Sequence, residues 1–207
     1  MAIINQIKQY GLKNSFVRLI KLILRLCRVH IETYIYYSQE ISLNLISNVY
    51  IKSHYEIQKL DYNNYKDSKG LVFDNFKLGI FKKRFGSNSY EAYGVFEEEK
   101  LIYSTWISMN PLEVSINRLG LELGPDEGLL LDIETHPEFR RQGLHNYMNM
   151  YCLKRLKQIG KTNAVVLVLK ENVPARKSQE RSGFKKVKEI IYYKIFNFER
   201  LKIINHM

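Results

Sequence analysis

Two carboxylates interrupt an apolar segment in the second half of the 207-residue chain. Residues 129–133 have the composition of a buried strand, and Asp132 and Glu134 lie within it and directly after it. Side chains alternate along a regular strand, so both carboxylates are predicted to share one face. Because an unpaired buried charge is costly, the pair indicates either a general base, with Glu134 favoured over Asp132, or ion pairs with nearby Lys or Arg side chains.

A short basic loop follows this strand and leads into a predicted helix. The loop, residues 140–143 (RRQG), ends at Gly143, and apolar residues at helical spacing then predict a helix over residues 144–159 that stops at Gly160. The first N–H groups of a helix have no acceptor inside it, and the helix dipole adds partial positive charge there. Glycine also lets the backbone approach an anion closely. The predicted ligand is a phosphate or a pyrophosphate.

A second motif lies after the predicted strand at residues 163–169. It has the form N-x-x-A-x(7)-G-F and comprises Asn172, Ala175, Gly183 and Phe184. Together with the loop, this motif resembles the GNAT superfamily of acyl-CoA-dependent N-acyltransferases, whose acyl-CoA loop has the pattern Arg/Gln-x-x-Gly-x-Gly/Ala. The resemblance is tight over the second half of the chain and rests only on element order from about residue 50 onward.

The resemblance implies a mixed α/β fold with a splayed central sheet flanked by helices. An N-terminal amphipathic helix and an extra strand would precede this core. The implied organisation is an extension over residues 1–49, an acyltransferase domain over residues 50–196 and a polar tail over residues 197–207.

The same resemblance implies acetyl-CoA, or another acyl-CoA, as the co-substrate. Backbone groups of Ile133 and Thr135 would pair with the pantetheine arm, and Asn172 would either bind that arm or only cap its helix. The pyrophosphate would bind at the loop and the helix start, formed by Arg140, Arg141, Gln142, Gly143, Leu144, His145 and Asn146. No metal site is predicted, because the histidines and cysteines lack metal-ligand spacing.

Two positions depart from the pattern of the superfamily. His145 stands where a small glycine or alanine is usual, and Gln179 stands where many members have the tyrosine that protonates the leaving thiolate. Glutamine is not an acid at neutral pH. The thiolate is therefore expected to leave without help, with Tyr193 as the best single alternative acid.

The predicted function is the transfer of an acetyl or other short acyl group to a primary amine, directly within a ternary complex. An amino sugar of surface-polysaccharide synthesis is the favoured acceptor. The alternative is a non-catalytic acyl-CoA-binding or membrane-associated adaptor. A net charge of +11 favours an anionic partner, but the aromatic residues are not interleaved with basic ones as nucleic-acid platforms require. The presence of only two cysteines fits a reducing cytoplasm.

The spacing of apolar and basic residues over residues 1–28 predicts an amphipathic helix with an apolar face and a basic stripe. The stripe comprises Arg18, Lys21, Arg25 and Arg28. One interpretation is peripheral binding to an anionic membrane. The other, which the sequence favours, is a helix packed on the domain with its basic side in solvent.

Further elements follow from period-two alternation and from turn residues. The predicted strands cover residues 30–37, 49–59, 90–96, 101–109 and 187–196, and one or two helices are predicted over residues 64–85. Trp106, the only tryptophan, is expected to anchor the core.

Overall fold

A computed structural model describes residues 12–42, 55–109, 115–116, 119–120 and 123–205. The helices are α1 (Leu12–Leu26), α2 (Tyr62–Lys66), α3 (Asn75–Phe85), α4 (Leu144–Gln158) and α5 (Val173–Arg181). The strands are β1 (Val29–Glu40), β2 (Tyr55–Lys59), β3 (Tyr90–Glu97), β4 (Lys100–Ser108), β5 (Ser115–Ile116), β6 (Leu119–Gly120), β7 (Glu127–Thr135), β8 (Asn163–Leu169), β9 (Lys185–Ile195) and β10 (Phe198–Asn205). The start of the predicted N-terminal helix and residues 49–54 of a predicted strand lie outside the described residues.

The chain divides into two compact units. The terminal unit comprises residues 1–39 and 166–207, and the central unit comprises residues 40–165. In the terminal unit, β9 pairs antiparallel with both β10 and β1. In the central unit, the antiparallel order is β7-β4-β3-β2. The domain boundaries predicted at residues 49 and 196 stay a prediction.

An aromatic cluster attaches α3 to the sheet of the central unit. Trp106 on β4 is fully buried and stacks on Tyr65, with ring centroids 5.6 Å apart. Phe81 and Phe85 of α3 lie 5.1 and 4.7 Å from the Trp106 ring. Aromatic pairs of this kind contribute about 0.5–1.5 kcal/mol each beyond the area they bury. The prediction that Trp106 anchors the core is confirmed.

Helix α4 has the buried apolar face that its sequence predicts. Leu144, Met148, Cys152 and Leu156 are all 2% exposed or less. Burial raises the pKa of the Cys152 thiol to about 12, so this thiol stays protonated and packs as an apolar group. Gly160 follows the helix with a φ of 84°, which is the left-handed conformation that favours glycine at a helix end.

Helix α1 exposes most of the apolar side chains that were predicted to pack on the domain. The Nζ of Lys21 donates to Oε1 of Glu171 at 2.9 Å, and Arg25 is ion-paired with Glu32. The apolar side chains that are more than half exposed are Leu12, Phe16, Leu19, Leu22, Ile23 and Leu26. The prediction of a solvated basic side is therefore wrong for Lys21, which the carboxylate of Glu171 attracts inward, whereas Arg25 and Arg28 are exposed. Among the described residues, no helix has the length and hydropathy needed to cross a membrane.

The C-terminal segment is a strand, not the polar tail that was predicted. β10 pairs with β9 along its whole length, from Phe198 opposite Ile195 to Asn205 opposite Lys188. A two-residue turn joins the strands, and Phe196 in this turn has a φ of 53°. The Phe196 N–H donates to the Arg28 carbonyl at 3.0 Å, which fixes the turn within the terminal unit.

Candidate active site

Strand β7 contains a bulge at the first of the two carboxylates. Leu131 pairs with Trp106 on β4, and Glu134 pairs with Ser104. Asp132 and Ile133 of β7 therefore both lie opposite the single residue Thr105 of β4. Asp132, the first of these two, has a φ of 47°, which few residues other than glycine adopt. The extra residue breaks regular alternation, so the reason given for placing both carboxylates on one face is wrong.

Both carboxylates nevertheless contact the same helix. The Nζ of Lys77 donates to Oε2 of Glu134 at 2.7 Å, and the guanidinium of Arg84 binds Asp132. Lys77 and Arg84 are seven residues apart, which is about two turns of helix, so they lie on one face of α3. The structure thus shows the ion pairs that were the alternative to a general base. The ion pairs do not test whether either carboxylate also acts as a base.

Aromatic rings surround the two cations. The Nζ of Lys77 lies 5.3 Å from the centre of the Phe73 ring and 5.8 Å from that of Phe81. The guanidinium carbon of Arg84 lies 5.2 Å from the Trp106 ring. The faces of aromatic rings attract cations, so the aromatic cluster helps to hold both basic side chains beside β7.

The predicted phosphate loop ends in a left-handed glycine. Gly143 has a φ of 84° and occupies the N-cap position of α4, where no side chain caps the helix. The first hydrogen bond of the helix runs from the Tyr147 N–H to the Gly143 carbonyl at 3.0 Å. The amides before Tyr147 are therefore directed out of the helix end. A Cβ on Gly143 would meet no atom within 4 Å, so the space beside the loop is open.

Side chains fix the shape of this loop from within the central unit. The Nε2 of Gln142 donates to the Glu138 carbonyl at 3.2 Å, and its Oε1 accepts from the Tyr55 hydroxyl at 3.0 Å. The Nε of Arg140 donates to the Thr135 carbonyl at 3.2 Å, which ties the loop to the end of β7. Arg141 is exposed and has a φ of 65°. The structure thus brings β7, the basic loop and the start of α4 together as predicted.

The imidazole of His145 contacts buried neighbours. Its Nδ1 lies 3.4 Å from the Tyr103 hydroxyl, and its Nε2 lies 3.2 Å from Nδ2 of Asn149. Tyr103 is fully buried, and this burial raises its pKa well above the ordinary value. Of the two residues that flank His145, Leu144 is buried and Asn146 is exposed. The larger residue at this position is accommodated against the Tyr103 side chain.

Asn172, the predicted pantetheine ligand, lies in the terminal unit. It is the N-cap of α5, and its Oδ1 accepts from the Ala175 N–H at 3.4 Å. The capping role is thus present. A role for Asn172 toward the pantetheine arm stays a prediction.

The two residues discussed for the acid step also lie in the terminal unit. Gln179 is 2% exposed, and its carbonyl accepts from the Phe184 N–H at 3.1 Å at the end of α5. Tyr193 is half-buried on β9, where it pairs with Ile31 on one side and with Arg200 on the other. The acid role of Tyr193 stays a prediction.

Sequence reasoning missed Lys77, Arg84 and Tyr55. The spacing of the two basic residues on one helix face was a visible signal, but sequence alone did not show which carboxylates they would bind. Within the described part of the chain, no group of three or more His, Cys, Asp or Glu side chains could hold a metal ion.

Comparison with known proteins finds solved structures of N-acetyltransferases. The tandem GNAT protein of the clavulanic acid biosynthesis pathway is 14% identical with a TM-score of 0.59, and the match covers 83% of this chain and 55% of that one. A GCN5-related N-acetyltransferase from Kribbella flavida is 11% identical with a TM-score of 0.53, over 92% of this chain and 67% of that one. An aminoglycoside 6′-N-acetyltransferase from Acinetobacter baumannii is 15% identical with a TM-score of 0.51, and the match covers 64% of this chain and 91% of that one.

The chain also matches a Drosophila protein structure whose function is not stated, and the match covers 56% of that protein. The chain thus spans little more than half the length of the Drosophila protein and of the tandem GNAT protein. No family model and no curated protein sequence matches the chain. At these identities the likeness establishes the fold alone. The mixed α/β class predicted from the sequence is confirmed, and the chain has the fold of the GNAT acetyltransferases.

Proposed function

We propose that this protein transfers an acetyl or other short acyl group from acyl-CoA to a primary amine, directly within a ternary complex. The observation that carries this proposal is the continuous path from the β7 bulge to the open, left-handed Gly143 at the start of α4. On this proposal, the path would offer backbone donors first to a thioester and then to a pyrophosphate. The N-acetyltransferases among the matched structures support the same activity.

The residues of the loop fit the anionic end of acyl-CoA. The first-turn amides of α4 donate toward an open space beside Gly143, and Arg140 and Arg141 add positive charge. Backbone groups of Ile133 and Thr135 would pair with the amides of the pantetheine arm. Bulges next to active sites re-aim backbone groups, so an N–H of the β7 bulge would polarise the thioester carbonyl.

Glu134 is the proposed general base, with Asp132 as the second candidate. It would take a proton from the acceptor ammonium, which requires that this ammonium replace Lys77 as its partner. A thiol with a pKa of about 8.5 is a good leaving group, so the thiolate can depart without an acid. Tyr193 is the proposed acid if one is used.

An amine on a sugar is the proposed acceptor. One of the matched proteins is an aminoglycoside 6′-N-acetyltransferase, and another is a related enzyme in complex with an analogue that joins CoA to acetylneamine. We also propose a cytoplasmic location, because both cysteines are free and acyl transfer needs no oxidising compartment. A role in surface-polysaccharide synthesis is part of the same proposal.

A screen of amino sugars, amino acids and peptides with acetyl-CoA, followed by mass spectrometry, tests the activity. Gly143→Val should abolish CoA binding in calorimetric titration, because a β-branched residue prevents both the left-handed backbone and the close approach of a phosphate. Gly160→Val is the matched control. Gly160 lies at the other end of α4, has the same φ of 84° and has no atom within 4 Å of its Cβ position.

Both variants should lose about 1–2 kcal/mol of stability from backbone strain, but only Gly143→Val should lose CoA binding. Equal CoA affinity in the two variants would contradict the assignment of the Gly143 loop to the pyrophosphate. Tight CoA binding by the parent protein without turnover of any amine would instead support the acyl-CoA-binding adaptor. The exposed apolar side of α1 is the observation that favours this second candidate.

A further inference from the structure

Lys77 places an amine of the protein itself beside the proposed general base. Its Nζ is 2.7 Å from Oε2 of Glu134, the proposed general base. The backbone at Lys77 is fixed as well, because its N–H donates to Oδ1 of Asp74, the N-cap of α3, at 2.7 Å. This amine is therefore held at a defined position beside β7.

The surroundings of Lys77 differ from those of the other lysines on α3. Its ammonium lies over the rings of Phe73 and Phe81, and its side chain is 31% exposed. Lys82 and Lys83 on the same helix are exposed to solvent. A reagent that reacts by accessibility alone would therefore modify Lys82 and Lys83 before Lys77.

We propose that Lys77 is an acyl acceptor in cis, so that the protein acylates its own α3. This inference rests on the proposed function, since it requires a thioester beside the β7 bulge. Glu134 takes a proton from the Lys77 ammonium, and the freed Nζ attacks the thioester carbonyl carbon. A C–N bond forms and the C–S bond breaks, and the nitrogen gives up its second proton, which reaches the departing CoA thiolate through water.

Acylation would change the charge balance of the site. The product is a neutral amide that cannot form an ion pair, so Glu134 would lose the cation that Lys77 provides. The aromatic rings that attract the ammonium would instead contact the acyl-lysine side chain. The modification would thus separate Glu134 from α3 while the Arg84–Asp132 pair stays intact.

Incubation of the full chain with acetyl-CoA and no added amine tests the proposal. Intact-mass and peptide mass spectrometry should show a single acetyl group on Lys77, with Lys82 and Lys83 unmodified. Lys77→Arg keeps the positive charge but has no nucleophilic amine, so the label should disappear. Lys82→Arg is the matched control and should leave labelling unchanged. Glu134→Gln should slow labelling at least 100-fold, which is typical for loss of a general base.

The first-order rate constant, measured as the fraction of protein labelled per unit time at saturating acetyl-CoA, should also be independent of protein concentration, because the acceptor belongs to the same molecule. A rate constant that rises with protein concentration, or labelling spread over the exposed lysines, overturns the proposal. An unmodified Lys77 overturns it too, whether or not CoA binds. In that case, acylation of an added amine shows that the proposed function stands without this inference, and absence of any turnover contradicts both.

Discussion

Helices α1 and α3 both place basic side chains on carboxylates of neighbouring elements, but only α3 also buries aromatic rings. On α1, Lys21 contacts Glu171 while the apolar face is turned outward. On α3, Lys77 contacts Glu134, and Phe81 is 1% exposed against the aromatic cluster.

We infer from this difference that the two helices are held in different ways, α1 by its ion pairs alone and α3 by ion pairs together with buried aromatic rings. Partly exposed ion pairs contribute little stability, because water and salt screen them. Buried aromatic residues contribute several times more. We therefore expect α3 to be a fixed part of the central unit, whereas attachment of α1 in the terminal unit depends on its charges.

The largest expected effect is a loss of stability when a buried apolar residue of α3 is removed, compared with an exposed one of α1. Phe81→Ala should destabilise the protein by about 3–5 kcal/mol, because it leaves a cavity in the aromatic cluster. Phe16→Ala on α1 should change stability by less than about 0.5 kcal/mol, since Phe16 is 63% exposed. Urea unfolding measures both. Similar losses in the two variants would show that α1 is anchored by its apolar side.

A smaller effect should follow from removing one charge of each helix. Lys21→Met leaves Glu171 buried without its cation, so α1 should be destabilised by about 1–3 kcal/mol. Amide hydrogen exchange should then speed up in α1, and added salt should have the same effect in the parent protein. Lys77→Met is the control, because the aromatic cluster should keep α3 protected. Unchanged exchange in α1 at high salt would contradict the idea that its charges attach it.

A third expected effect is a loss of stability in acid. The guanidinium of Arg155 lowers the pKa of Glu91 in the central unit from 4.5 to about 2. Burial acts to raise the pKa of Glu189 in the terminal unit, but Lys170 and Lys186 hold it at about 2. Carboxylates with lowered pKa values stabilise the fold above their unfolded pKa. That stability should be lost as the pH falls from 4.5 toward 2.

Unfolding midpoints measured across this pH range check the prediction. Glu91→Gln should flatten the acid dependence of the central unit, and Glu189→Gln should do the same for the terminal unit. A parent protein whose stability does not change between these pH values would contradict both assignments.

Local signals predicted most of the fold. The apolar spacing of α4, with Gly160 after it, set the face and the end of that helix, and alternation located β3 and β4. Orientation was harder to predict. Helical periodicity shows which residues of α1 share a face, but the buried Glu32 and Glu171, not the apolar side chains, decide which face turns inward.

The parts of the candidate site that are formed by residues adjacent in the sequence were predicted. The loop around Gly143 follows directly from a strand, a glycine and a helix. The partners of the carboxylates did not follow, because Lys77 lies 57 residues before Glu134. The bulge at Asp132 was also hidden, since it arises from the register between β7 and β4 and not from any residue type typical of bulges.

That bulge makes the site sensitive to the length of the chain. Removing one residue at position 132 or 133 would restore regular pairing with β4 while leaving Leu131 and its predecessors in place. Glu134 would stay opposite Ser104 on the same face, but the extra residue would be lost, and with it the left-handed backbone that Asp132 has in the bulge. We therefore expect related sequences to vary in residue type along β7 but to keep the same number of residues between Leu131 and the basic loop.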